Sequence, residues 1–167
     1  MLTTTLLLAP FLLLLVLAAG WDLASYTIPN IIPAALLVAF VLFALSAGFT
    51  PAAYGSHALA GAIALVIAFV LFALGYIGGG DAKLFACIAM WFGMHDLAQY
   101  ALVASLFGGM LTVFLIAARQ RPLPSVLAGQ QWISRLHEPK AGIPYGVALA
   151  MGAIAVLPYT DLLRLAR

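Results

Sequence analysis

Charge is scarce in this sequence. Seven basic and five acidic residues make up 7% of 167 positions, whereas 66% of the residues are hydrophobic and mean hydropathy is +1.17. So little polarity cannot wet the surface of a soluble domain of this size, so the composition implies an integral membrane protein. A formal net charge of +2 is too small to act as an electrostatic footprint for nucleic acid. Cysteine is nearly absent. Cys87 stands alone in an apolar run, which excludes a disulfide framework and a cysteine-based zinc site and leaves the reading of a small buried hydrophobe. His57, His95 and His137 fall in three different connections without metal-ligand spacing. Ser105 lacks the glycine-flanked context of a nucleophile elbow. No phosphate-binding loop is present either, because the glycine run ends in Asp81 where Lys-Ser/Thr would be needed. The sequence thus calls for neither a metal nor a cofactor.

What the chain has is apolar runs. A membrane helix needs about 20 apolar residues, fewer where the bilayer thins. Runs at 2–20, 31–49, 57–77, 82–93, 97–118 and 143–158 predict about six transmembrane helices. The expected fold is all-α and polytopic, with one membrane-embedded domain over 1–167 and lipid as its surroundings. No Lys or Arg precedes the first run, so it reads as a retained span rather than a signal peptide. Trp21 suits an interface, and Ile28-Pro29-Asn30 reads as a turn, since proline disfavours helical geometry in the residue before it. Gly48, Pro51 and Gly55 punctuate the second link, and Met94-His95-Asp96 breaks the apolar pattern between the fourth and fifth runs.

Residues 119–142 form the one long polar stretch and carry Arg119, Arg121, Arg135 and Lys140. Pro122 and Pro124 prevent a continuous helix at its start, and 126–136 fits a surface helix anchored by Trp132. An excess of Lys and Arg marks the cytoplasmic side. Counting spans back from this segment puts Asp81 and Asp22 inside, and Asp96 outside. Arg164 and Arg167 then fall outside, against the rule.

Two carboxylates are therefore expected at the membrane face of the basic segment. Asp22 follows the first run, and Asp81 follows Gly78-Gly79-Gly80 and precedes Ala82-Lys83. An ionised Asp at the centre of a membrane helix costs about 2.5–3.5 kcal/mol, and such residues face a partner or a water-filled cavity. Two close carboxylates cannot both ionise easily and hold a shared proton. The ionised member can take a proton from water while the protonated one polarises a scissile carbonyl. Glycines beside such a group permit unusual backbone angles and the close approach of an extended peptide. Taken singly, Asp22 also fits a helix-end role, Asp81 a helix cap, and Lys83 a snorkelling cation. Asp96 and Asp161 read as solvent-side caps. The convergence of Asp22 and Asp81 on one face favours an aspartic proteolytic pair.

With these residues in view, the chain resembles the type IV prepilin peptidases, membrane aspartic proteases with a Gly-x-Gly-Asp motif. Asp22 is followed by Ile28-Pro29-Asn30. Gly78-Gly79-Gly80-Asp81-Ala82-Lys83 matches the signature with its following Lys, and Ile143-Pro144-Tyr145-Gly146 matches a segment that opens the last span. The resemblance implies that Asp22 and Asp81 are catalytic, with Gly78, Gly80, Lys83, Pro144, Tyr145 and Gly146 in support. It also implies cleavage of the leader of prepilin-like substrates at the cytoplasmic face of the inner membrane, with no cofactor. With one cysteine, the chain is similar to small peptidase-only forms, as found with Flp/Tad-type pili and archaeal preflagellins, that lack a methyltransferase domain. It departs from the family in having no basic residue between Leu23 and Thr27. The alternatives are a non-enzymatic subunit of a pilus or secretion machine and a proton-coupled transporter; six spans without a repeat argue against the latter.

Overall fold

The computed structural model describes residues 2–162, with side chains from Leu8 onward. The structure is built from helices: α1 (Leu2–Ser25), α2 (Ile31–Ser46), α3 (Pro51–Ala73), α4 (Gly79–Arg119), two short helices α5 (Ser125–Ala128) and α6 (Gln131–His137), and α7 (Tyr145–Val156). One 3-10 turn, Leu157–Tyr159, follows α7. No strand occurs among the described residues. This is the expected all-α, polytopic membrane architecture. α1, α3 and α4 are long and apolar enough to cross a bilayer, and α2 and α7 are shorter apolar helices. Arg164 and Arg167 lie outside the described residues.

α4 accounts for two of the expected spans. Its helical run is broken at Gly93, which has φ 72° and ψ 179°, a conformation that residues with a Cβ rarely adopt. A straight helix would hold Phe85 and Tyr100 about 22 Å apart, yet their rings stack with centroids 5.4 Å apart. The helix therefore folds back at Gly93, just before the Met94-His95-Asp96 break expected from the sequence, and its two arms pack side by side. The imidazole of His57 fills the bend. His57 Nδ1 donates to the Met90 carbonyl at 2.8 Å, a group that the broken helix leaves without its usual partner.

The other boundaries shift for physical reasons. α1 continues through Trp21 and Asp22 to Ser25, because nothing in that stretch breaks a helix before the Ile28-Pro29 pair. Pro51 starts α3 rather than interrupting a link. It occupies the first helical turn, where its missing N–H costs nothing, and Thr50 Oγ1 caps the end by accepting from the Ala53 amide at 3.2 Å. The surface helix expected over 126–136 is split into α5 and α6 around Gly129.

Packing follows membrane rules. Large side chains such as Val38, Phe69, Leu102 and Val113 face outward, each at least 60% exposed. Lipid is as apolar as they are, so helices gain little by burying them and associate instead through close van der Waals contact between small residues. α3 buries only Ala60, Gly61, Ala64 and Ala68, a stripe at helical spacing that lies on the first arm of α4 near Ala86 and Met90. α7 crosses the second arm at Gly152, where an added Cβ would sit 2.7 Å from the Ala104 Cα. The bulky core is local. Trp91 stacks on Phe11 at 4.5 Å and donates its indole N–H to the Leu36 carbonyl at 3.0 Å, tying α1, α2 and α4 together.

Gly152→Leu should therefore wedge α7 off α4 at an overpacking cost of about 1–3 kcal/mol. Thermal unfolding in detergent, followed by circular dichroism, should show a midpoint several degrees below wild type. Gly55→Ala, where an added Cβ meets nothing within 4 Å, should leave the midpoint unchanged or slightly raised.

Candidate functional site

Three helix ends meet at one face of the bundle: the C-terminal turn of α1, the N-terminal turn of α4 and the N-terminal turn of α7. Asp22 comes from the first and Asp81 from the second. Both are buried, at 4% and 8% exposure, which for a carboxylate demands partners. Asp22 Oδ2 accepts a hydrogen bond from the Gly146 amide at 2.7 Å, an N–H that the first turn of α7 leaves free. Asp81 is within reach of the same amide and close enough to Asp22 for their charges to interact. The structure thus brings the two aspartates expected from the sequence together, around Gly146.

Asp81 caps its own helix, as one reading of the sequence anticipates. Its Oδ2 accepts from the Gly78 amide at 3.1 Å, the position-three half of a capping box. That accounts for one oxygen only. Oδ1 is buried with no hydrogen-bond partner, and capping gives no reason to leave it so.

The glycines are required for proximity. Gly78 has φ −74° and ψ 152°, ordinary extended backbone, so the expectation of unusual angles in this run is corrected; the left-handed residue nearby is Gly75, at φ 79°. A Cβ on Gly78 would lie 3.0 Å from Asp81 Oδ2, and one on Gly80 would lie 3.2 Å from the Ile28 Cβ. A Cβ on Gly146 would lie 2.8 Å from both Asp22 Oδ2 and Ile28 Cδ1. Ile28 is thus a wedge between Gly80 and Gly146, and its position explains why an apolar residue precedes Pro29 in the turn between α1 and α2. Lys83 Nζ donates to Asn30 Oδ1 at 2.8 Å, fastening the first turn of α4 to that same turn. Pro144 is fully buried at the start of α7. Tyr145 turns toward the second arm of α4, with its ring against Gly108 and its hydroxyl 3.5 Å from Thr112 Oγ1.

The basic segment closes over this face. Arg119 donates to the carbonyls of Leu136 at 2.9 Å and Gly142 at 2.8 Å, and Arg135 donates to the Ala24 carbonyl at 3.1 Å. Reading the sequence for charge counts these arginines but misses that they clasp backbone carbonyls at the ends of α1 and α6 and in the link before α7. Tyr26 lies beneath them with φ 55°. Burial pushes its phenol up from the ordinary value, opposed by the neighbouring Arg119 guanidinium, so it stays protonated at neutral pH.

The opposite face holds a second polar cluster. Asp96 is buried at 4% exposure, not solvent-facing as expected, because the bend at Gly93 turns it inward. It accepts from His95 Nδ1 at 2.7 Å. Asp161 is more exposed and lies 4.0 Å from the same imidazole. Among the described residues, no group of three His, Cys, Asp or Glu side chains is arranged to hold a metal ion.

A family model described as the type IV leader peptidase family matches residues 9–113. No curated protein and no solved structure matches the chain. The matched stretch includes Asp22, Ile28, Asn30, Asp81 and Lys83 but stops short of Gly146. A match over well over half the chain, spanning Asp22 and Asp81, shows that the protein belongs to the type IV leader peptidase family.

Proposed function

We propose that this protein is an aspartic endopeptidase that removes the leader from type IV pilin-like precursors, with Asp22 and Asp81 as the catalytic pair. The observation that carries this reading is the meeting of two buried carboxylates at the α7 N-terminus, with Asp81 Oδ1 left unpartnered. One proton on the pair lets each member act. The ionised carboxylate takes a proton from water as its oxygen attacks the scissile carbonyl carbon. The protonated carboxyl donates to the carbonyl oxygen, giving a neutral tetrahedral diol. As the diol collapses, the C–N bond breaks, the amine nitrogen takes up a proton from the pair, and a new carboxyl and a new amine leave.

The supporting residues are given positioning roles. Gly78, Gly80 and Gly146 let backbone and Ile28 approach the carboxylates. Pro144 and Tyr145 set the start of α7, and Lys83 with Asn30 fixes the first turn of α4. The basic segment packs on the same face as the two aspartates, and excess Lys and Arg favour the cytoplasmic side. This supports cleavage at the cytoplasmic face of the inner membrane, by a small peptidase-only form of the Flp/Tad or preflagellin kind.

Membranes carrying wild type, Asp22→Asn or Asp81→Asn, mixed with a pilin-like precursor encoded nearby, test the assignment by gel shift. Each variant should lose about 10²–10⁴-fold in rate at normal protein levels; persistent cleavage by either would sink the two-aspartate mechanism. The wild-type rate should be bell-shaped in pH, because turnover requires one proton on the pair. Gly146→Ala should cut the rate more than tenfold while helical content is kept, since its Cβ displaces the Asp22 carboxylate. Lys83→Met and Asn30→Ala should each slow cleavage a few-fold, as expected for about 1 kcal/mol from one hydrogen bond. The double variant should be no slower than either single one, and additive losses would show that the two residues act separately.

A further inference from the structure

Tyr26 is the one non-glycine residue with a positive φ among the described residues, at 55°. It stands directly after α1, and its amide donates to the Asp22 carbonyl at 2.8 Å. Helices often end in this left-handed way, but the residue there is usually glycine, or else asparagine. A bulky side chain is strained in that conformation. The side chain carries a second cost. Its hydroxyl is buried with no hydrogen-bond partner, a polar group stripped of water and given nothing in exchange. The turn does not need it, since the Ser25 and Thr27 hydroxyls pair across it at 2.8 Å. Two costs at one residue, so close after Asp22, mark a side chain kept for what it does elsewhere.

The ring lies against the link that leads into α7. Its Cδ1 is 4.0 Å from where a Cβ on Gly142 would stand, and the Arg119 guanidinium is beside its phenol. That guanidinium directs Nε to the Leu136 carbonyl at 2.9 Å and Nη2 to the Gly142 carbonyl at 2.8 Å. The end of α1 and the approach to α7 therefore meet twice, in antiparallel register. Asp22 meets Gly146 through a hydrogen bond. Tyr26, one helical turn later, meets Gly142, the same number of residues earlier. Arg135 adds a bond to the Ala24 carbonyl, between Asp22 and Tyr26.

We propose that Tyr26 is a positioning residue, whose ring braces the link at Gly142 and so holds the Gly146 amide on Asp22. The proposal rests on the leader-peptidase reading and adds a residue that sets the geometry of its carboxylate pair.

The link needs a brace because its own packing supplies none. Neither α5 nor α6 has a buried residue, and residues 141–144 form no helix. What holds this stretch is the arginine bonds and the Tyr26 ring. The unpaired hydroxyl gives the bracing to the ring. Removing that oxygen deletes a buried polar group and keeps the contact.

Tyr26→Phe, Tyr26→Gly and Tyr26→Asn test the brace in membranes with a pilin-like precursor. Glycine and asparagine tolerate the left-handed backbone, so both variants should keep the thermal midpoint within about two degrees of wild type, or above it. Both should nevertheless lower kcat about 10–100-fold and leave KM within about twofold, because the carboxylates are displaced and the substrate is not. Tyr26→Phe keeps the ring and should hold kcat within about twofold of wild type. Tyr26→Gly added to Gly146→Ala should slow cleavage no further than Gly146→Ala alone, since both act on one bond. Amide exchange over residues 142–147 needs no substrate. It should quicken about tenfold in Tyr26→Gly and keep the wild-type rate in Tyr26→Phe. Parallel falls in midpoint and rate for Tyr26→Gly and Tyr26→Asn would make Tyr26 an ordinary packing residue and overturn the proposal. Loss of kcat in Tyr26→Phe would overturn it too, by placing the hydroxyl on the substrate. If Asp22→Asn and Asp81→Asn are inactive while Tyr26→Gly cleaves as wild type, only the brace falls. If wild type cleaves no precursor, the leader-peptidase reading falls, while the exchange rates still decide whether Tyr26 holds the Gly146 amide.

Discussion

One hydrogen bond, from the Gly146 amide to Asp22, ties the start of α7 to the end of α1, and Asp81 at the start of α4 lies within reach of the same amide. A buried carboxyl oxygen left without its hydrogen-bond donor costs about 1–3 kcal/mol. α7 must therefore present its first turn to α1. Everything near this bond is small or apolar for the same reason. Gly78, Gly80 and Gly146 leave room for carboxylate oxygens and for Ile28. The polar fastenings, Lys83 to Asn30 and the arginine clasps of Arg119 and Arg135, sit at the periphery where water can share them.

The membrane sets the rest of the design. Because lipid gives helices no hydrophobic reason to associate, close contact falls to alanine and glycine. The same composition that packs α3 on the first arm of α4 leaves the second arm with a small-residue stripe facing an open cleft. The bend at Gly93 makes this possible. It returns the chain across the membrane after a short arm and spreads the two arms beneath α3, with His57 satisfying a carbonyl at the break. The chain thus combines a polar junction at one face with an open apolar cleft that Asp81 and Tyr145 help to line.

Much of this is legible in the sequence because its few charges are expensive to place. Two aspartates beside apolar runs, one after three glycines, and a single basic segment are enough to predict a helical membrane bundle with both carboxylates at one face. The family follows from the residues around them. Helix boundaries are less legible. Trp21 and Asp22 look like an interface after a helix but continue it, and Pro51 looks like a breaker but starts one. Asp96 looks solvent-facing because its burial depends on the backbone conformation of Gly93, which no periodicity encodes. The glycines are recognisable, but their purpose is not: the structure uses them for proximity to Ile28 and the carboxylates, and the positive-φ residue is Gly75 instead. The clasps made by Arg119 and Arg135 join positions far apart in the chain and leave no local signal.

The central claim is that Asp22 and Asp81 act as one unit sharing one proton. Single-turnover cleavage rates for Asp22→Asn, Asp81→Asn and the double variant, measured in the same membranes with the same precursor, test it most directly. Groups that act as a unit are strongly non-additive, so the double variant should retain the same residual rate as either single one. A double-variant rate equal to the product of the two separate losses would mean that the two carboxylates contribute independently, and would contradict the account.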